Sequence, residues 1–185
     1  GIERPHHDAC RSTAWAVVSC AEFHRPPMVV VENVPEFLQW TLYPAWRQAM
    51  EALGYAISEN LIDAAGCGIP QNRVRMFVVG VQAASALRIP IPSETRRPAS
   101  TIIDFSAGNW SPVRKPGRAQ ATIDRWIQGR KAHGERFIFS YYGQTRGGRS
   151  LSRPIGTITT LDRRAVVRGG RMRMLSHNEA RDAMG

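Results

Sequence analysis

The residues of this chain best able to do chemistry fall in three short stretches. In "MVVVENV", Glu32 and Asn33 follow the apolar run Met28–Val31, so a carboxylate stands at the end of a hydrophobic segment. A group so placed can donate or accept a proton, or accept hydrogen bonds from an amine. The second stretch, "QNRVR", holds Gln71, Arg73 and Arg75 at alternate positions, with guanidinium forks that suit phosphate or carbonyl oxygens. The third, "RPIGTITT", carries Arg153, Thr157 and Thr159 and is followed by "RMLSHNEARDAMG". Taken singly, each stretch is ordinary: strand-end glutamates and Arg-x-Arg pairs are common on solvated edges. The three cysteines, Cys10, Cys20 and Cys67, have no metal-ligand spacing and cannot all pair, so the chain suits a reducing cytoplasm and has no expected metal site.

The surrounding elements must position these groups. Met28–Val31 reads as a strand buried on both faces, placing Glu32 where open parallel α/β sheets hold their ligands. A helix is expected over residues 12–23, and a second from Pro35 to Gly54 with a kink or break at Pro44. "AISENLIDAA" and "VRMFVVGVQ" read as strands, with an antiparallel edge hairpin over residues 56–82. Past residue 88, "RIPIPSETRRPAS" reads as a linker, then a helix in "AQATIDRWIQGRKAHG" and short strands joined by Gly/Arg loops. Ser176, with Glu179 three residues on, is a capping box that starts a last helix.

Charge separates the two halves. Residues 1–95 hold 7 Lys+Arg against 9 Asp+Glu, and residues 96–185 hold 18 against 6, so the +10 excess belongs to the second half. Most of it is arginine, as expected of a nucleic-acid surface. Arg146, Arg149, Arg163 and Arg164 join Arg153 as candidate contacts, and Arg96, Arg97, Arg114, Lys115 and Arg118 extend the basic surface. No apolar run is long enough to span a membrane, and no signal peptide is visible at Gly1.

In this order and spacing, ENV, QxRxR, RPxxTITT and the helix "RMLSHNEARDAMG" resemble the DNA (cytosine-5)-methyltransferase family, as does "DACRSTAW" ahead of them. The resemblance covers nearly the whole chain except roughly residues 90–136. It implies an α/β fold: a partial Rossmann-like, S-adenosylmethionine-dependent methyltransferase sheet plus a small, mostly β, target-recognition domain. Residues 1–90 would then be the C-terminal part of the catalytic domain, 91–170 the DNA-binding domain, and 171–185 a helix returning to the catalytic domain. It also implies a bacterial or phage-encoded enzyme acting on duplex DNA, as in restriction-modification.

Family chemistry assigns the roles. A cysteine thiolate adds to C6 of a flipped-out cytosine, and C5 then takes methyl from S-adenosylmethionine. Glu32 would assist as the general acid at N3 and the reader of the base edge. Asn33 would position the catalytic loop, Arg75 would bond the base at O2, and Arg73 and Gln71 would brace the pocket or contact phosphate. Thr13 would belong to the cofactor pocket, most of which lies outside this chain. Gln144 would fill the vacancy left by the flipped base, and Arg146, Arg149, Arg153, Thr157, Thr159 and Arg163 would contact DNA.

The match breaks at the nucleophile. No cysteine here follows a proline, and aligning the motifs puts the Pro-Cys upstream of Gly1. The glycine-rich cofactor loop is missing as well. The chain is therefore expected to be one portion of such an enzyme, inactive alone and completed by an N-terminal fragment or subunit. The alternative is a truncated or degenerate protein that only binds DNA.

Overall fold

The apolar run before Glu32 forms strand β1, Met28–Asn33, in the computed structural model, which describes residues 13–140, 147–159 and 164–185. The chain divides into two compact units, one built from residues up to Asp63 with Val74–Pro92, the other from Ala64–Arg73 with Ser93–Gly185. Helices and strands are interspersed along the chain, giving the expected α/β class.

In the first unit, β1 pairs antiparallel with β4, Val74–Val81, and β4 pairs antiparallel with β2, Ala56–Asp63. The hairpin expected over residues 56–82 is therefore present. The order β1-β4-β2 makes β1 and β2 run in the same direction with β4 inverted between them. The described neighbour of β1 is thus antiparallel, which corrects the expected parallel pairing. A second correction concerns its burial. Met28 and Val30 are 48% and 55% exposed, so β1 alternates between an outward and an inward face. A continuous apolar run shows that both faces can be covered, and the described residues cover only one.

Helix α1, Trp15–His24, follows the expected segment. The second expected helix splits into a 3-10 turn, Pro35–Gln39, and α2, Tyr43–Ala52. Pro44 falls in the first turn of α2, where a missing N–H costs no intrahelical bond. Phe37, Tyr43, Trp46, Met50, Tyr55 and Met76 form the core of this unit, with Tyr43 stacked on Trp46 at 5.8 Å. The Tyr43 hydroxyl donates to Glu59 Oε1 at 2.6 Å, tying α2 to β2. Burial and this carboxylate push the phenol well above its usual range. Beyond Val81 the linker has no helix or strand before Ala99. Buried Asn60 anchors it by accepting the Ile89 N–H at 3.0 Å.

In the second unit, β3, Gln71–Asn72, pairs parallel with β8, Ile155–Gly156. A five-stranded antiparallel sheet has the order β5-β10-β9-β6-β7. Its members are β5, Ser111–Pro112, β6, Arg136–Ser140, β7, Arg149–Ser150, β9, Arg164–Arg168, and β10, Arg171–Met174. Period-two alternation puts Phe137, Phe139, Ala165 and Val167 in one apolar cluster and Ile138 and Val166 in another. Both sheet faces are therefore buried, with helix α3, Gln120–His133, packed on β6.

Gly129 of α3 is where that packing leaves no room. A Cβ there would run into the Phe137 ring, 2.6 Å from Cζ. Alanine favours a helix over glycine by about 1 kcal/mol, but forcing a methyl into a filled core costs about 1–3 kcal/mol, and the ring contact is severe. Gly129→Ala is expected to lower unfolding free energy by about 1–2 kcal/mol in urea titration. A rise in stability would show that the ring moves aside freely.

Candidate functional site

Two groups of candidate residues stand on separate units. In the first unit, β1 ends at Glu32 and Asn33, opposite Phe77 and Met76 of β4. Arg75 lies two positions before Phe77, on the same sheet face as Glu32 and diagonal to it. Its Nε reaches Glu32 Oε1 at 2.8 Å, and its Nη1 donates to the Val74 carbonyl at 2.9 Å. The guanidinium is thus fixed by its own strand and in turn holds the carboxylate. Glu32 remains 52% exposed against 21% for Arg75, so the carboxyl is steadied from one side and open to a ligand on the other. As an exposed ion pair it adds only about 0–1 kcal/mol to stability. It is better suited to positioning than to holding the fold.

Asn33 serves the turn after the strand: its Oδ1 accepts the Val34 N–H at 2.8 Å and directs the chain into Pro35. Thr13 is exposed at the start of the described chain, and its carbonyl accepts the Ala16 N–H at 3.1 Å. Cys20 and Cys67 are exposed, and neither is in a disulfide among the described residues.

In the second unit the RPIGTIT segment is stitched to the residues that precede β4. Gln71 pairs with Ile155, and Ile155 donates its N–H to the Pro70 carbonyl at 2.8 Å. Thr157 Oγ1 donates to the Asn72 carbonyl at 2.9 Å. Arg149 Nη1 donates to Asn72 Oδ1 at 3.1 Å and to the Pro154 carbonyl at 3.2 Å. Gln71 is only 1% exposed, its Nε2 lacking a hydrogen-bond partner among the described residues. Its side chain therefore lies inside this unit. Arg73 belongs to the same unit, and its carbonyl accepts the Ala64 N–H at 3.1 Å. Arg149, Arg153 and Thr159 are exposed. Cys10, Tyr141, Tyr142, Gln144, Arg146 and Arg163 lie outside the described residues.

Arg164, a candidate surface contact by its sequence, is instead an internal brace. Its Nη1 donates to Ser140 Oγ at 3.1 Å and its Nη2 to the Thr157 carbonyl at 2.6 Å. Burial, and then the charge of Arg149, pull its guanidinium below the usual arginine range. Composition could not reveal this, because surface and interior arginines look alike in sequence. A strand assignment for residues 164–168 would have offered the one available signal, since Arg164 begins a run of alternately facing buried residues.

A family profile described as C-5 cytosine-specific DNA methylase matches residues 1–134. The type II methylase M.HgiDII of Herpetosiphon aurantiacus is 29% identical over 115 residues, covering 53% of this chain and 32% of that protein. The type II methyltransferase M.MthTI of Methanothermobacter thermautotrophicus is 28% identical over 83 residues, covering 43% of this chain and 25% of that one. Among solved structures, the S. pombe Dnmt2 methyltransferase is similar over 74% of this chain and 44% of its own, at 14% identity and a TM-score of 0.43. The chain spans about a quarter to a third of the length of these two curated relatives.

Proposed function

Since the chain belongs to the C-5 cytosine-specific DNA methylase family, we propose that it is the base-pocket and DNA-binding portion of a DNA cytosine-5 methyltransferase. The observation that carries this reading is the Glu32–Arg75 pair, a carboxylate held at 2.8 Å by a strand-fixed arginine and half exposed at the strand end. In this role Glu32 meets the Watson–Crick edge of a cytosine flipped from the duplex, donating a proton toward N3 and accepting from the N4 amine. Arg75 holds Glu32 and bonds the base at O2, while Asn33 shapes the turn beside them. Residues up to about 90 serve the catalytic part and residues 91–170 the DNA-recognition part. Arg149, Arg153 and Thr159 make backbone contacts, and Gln71, Thr157 and Arg164 build the scaffold beneath them.

The family's methyl donor is S-adenosylmethionine. Of the described residues only Thr13 was assigned to its pocket, and one exposed hydroxyl is not a cradle for that cofactor. The described residues do not fit the group, so its site is assigned to an N-terminal portion or subunit that also brings the Pro-Cys nucleophile. The outward face of β1, with Met28 and Val30 half exposed, supports such a partner. No helix among the described residues is long and apolar enough to cross a membrane, and the proposed compartment is the cytoplasm that holds the DNA.

This reading expects strongly salt-dependent duplex binding. With about four phosphate contacts, log affinity falls against log salt with a slope near −3.6, about 10²-fold between ~50 and ~200 mM. Fluorescence anisotropy with a labelled duplex measures it. Affinity that is flat across that range sinks the DNA-binding half of the proposal.

A further inference from the structure

The second unit contains a cavity of about 1000 Å³, bordered by Asn72 of QNRVR and by Arg153 and Pro154 of RPIGTITT. Arg96, His133, Arg149, Ser150, Ser152 and Arg153 line it, with no aspartate or glutamate among the described residues of the lining. Arg149 and Arg153 bring two exposed guanidinium groups to one cavity, a concentration of positive charge that suits a bound anion.

The lining is built rather than incidental. Arg149 is oriented by two neutral acceptors, Asn72 Oδ1 and the Pro154 carbonyl. Its geometry is thereby set while its charge stays uncompensated by those partners. The Ser150 and Ser152 hydroxyls lie 2.7 Å apart, and the Ser152 N–H donates to Ser150 Oγ at 3.1 Å. Gly148, at φ 73°, lets the strand enter the site: a Cβ there would stand 2.8 Å from the Ile138 carbonyl oxygen. His133 arrives from the last turn of α3. A fixed guanidinium, Arg149, with hydroxyl and imidazole donors lining the same cavity, matches the oxygens of a phosphate.

We propose that this cavity is a phosphate subsite that grips one phosphodiester of the nucleic-acid backbone, with Arg96, Arg149 and Arg153 as its cations and His133, Ser150 and Ser152 as its hydrogen-bond donors. The subsite rests on the duplex-DNA reading above and adds Arg96 and His133 to its contacts. Because a phosphodiester is the same at every step, it contributes affinity and register, not sequence preference.

The test is duplex binding by the full chain across a salt series, with Arg96→Gln/Arg153→Gln, His133→Gln, and Lys131→Gln as a charge control on the same helix outside the cavity. Circular dichroism and a thermal melt check that each variant is folded. The double variant is expected to weaken binding several-fold and to make the salt slope shallower by about 1, equally for duplexes of unrelated sequence. His133→Gln is expected to lower affinity with little change of slope, and Lys131→Gln to stay near the parent in both. The subsite is overturned if the double variant keeps the parental slope and affinity, or if Lys131→Gln matches its effect, because a diffuse field then suffices. If the parent chain binds no duplex even at low salt, the DNA reading fails first. Inorganic phosphate followed by NMR then separates the two cases. Shifts confined to the cavity would mean that it takes a free anion instead of a phosphodiester, and no shift would remove the site altogether.

Discussion

Glu32→Gln, in the chain combined with a polypeptide that supplies the Pro-Cys and cofactor loops, is expected to lower methyl transfer by about 10²–10⁴-fold, the usual worth of a positioned acid or base. Glutamine keeps the shape of the side chain and can still accept the Arg75 Nε–H that now reaches Glu32 Oε1 at 2.8 Å. It cannot deliver the carboxyl proton. Since the pair is exposed, its loss should change stability by less than about 1 kcal/mol, so a fall in rate cannot be blamed on unfolding. Duplex affinity should stay within about twofold, because a neutral amide still meets the base edge and no phosphate contact is removed. Transfer of labelled methyl to duplex, with anisotropy in parallel, separates the two effects. If transfer by Glu32→Gln equals that of the parent, Glu32 is not the acid. If neither protein transfers methyl but both bind DNA, the chain is a binding protein alone.

The second large effect concerns the fold. Arg173→Met is expected to destabilise the second unit by about 3–5 kcal/mol, the cost of leaving a buried charge without its partner. Arg173 and Glu179 are both only 4% exposed and meet at 2.6 Å. Glu179 also accepts the Asp104 N–H at 2.9 Å and the Ser176 N–H at 2.8 Å. One carboxylate therefore closes the capping box of helix α4, His177–Met184, and ties that helix to the loop before β5. Arg173 additionally lies over the Trp110 ring at 5.0 Å. Chemical denaturation measures the loss. Replacing both partners by apolar residues should recover part of it, since no lone charge is left buried. A loss below about 1 kcal/mol for Arg173→Met would mean that water reaches Glu179 after substitution.

The same pair predicts a direction with pH. Burial by itself would raise the Glu179 carboxyl, but the Arg173 hydrogen bonds, the Ser176 and Asp104 N–H groups and the arginine charge together hold it below the usual range. A carboxyl lowered by folding contributes stability above its unfolded value, about 4.3 for glutamate. That contribution is lost as pH falls from there through the folded value. Acid denaturation of the second unit should therefore be less steep in Glu179→Gln than in the parent.

Much of this was legible in the sequence where local rules act alone. The apolar runs at Met28–Val31 and Met76–Val79, the prolines at 35 and 44, and the Ser176–Glu179 capping box each fix an element through forces within a few residues of chain. The order ENV, QxRxR, RPxxTITT fixed the family for a similar reason, since motif order survives without coordinates. Other features needed the register of one strand against another. Glu32 meets Arg75 because β1 and β4 pair antiparallel with Glu32 opposite Phe77, and a slip of one residue would send the two side chains to opposite faces. Arg153 and Arg164 look equivalent in sequence, yet one is exposed and the other braces the Thr157 carbonyl. Gln71 reads as a polar motif residue but is buried where β3 meets β8. Nothing local brings His133 to Arg149, because that meeting depends on how α3 lies on the sheet. Sequence determined which groups are present and what strands and helices carry them. Tertiary structure alone decided which of those groups face each other, because burial and ion pairing depend on contacts between segments far apart in the chain.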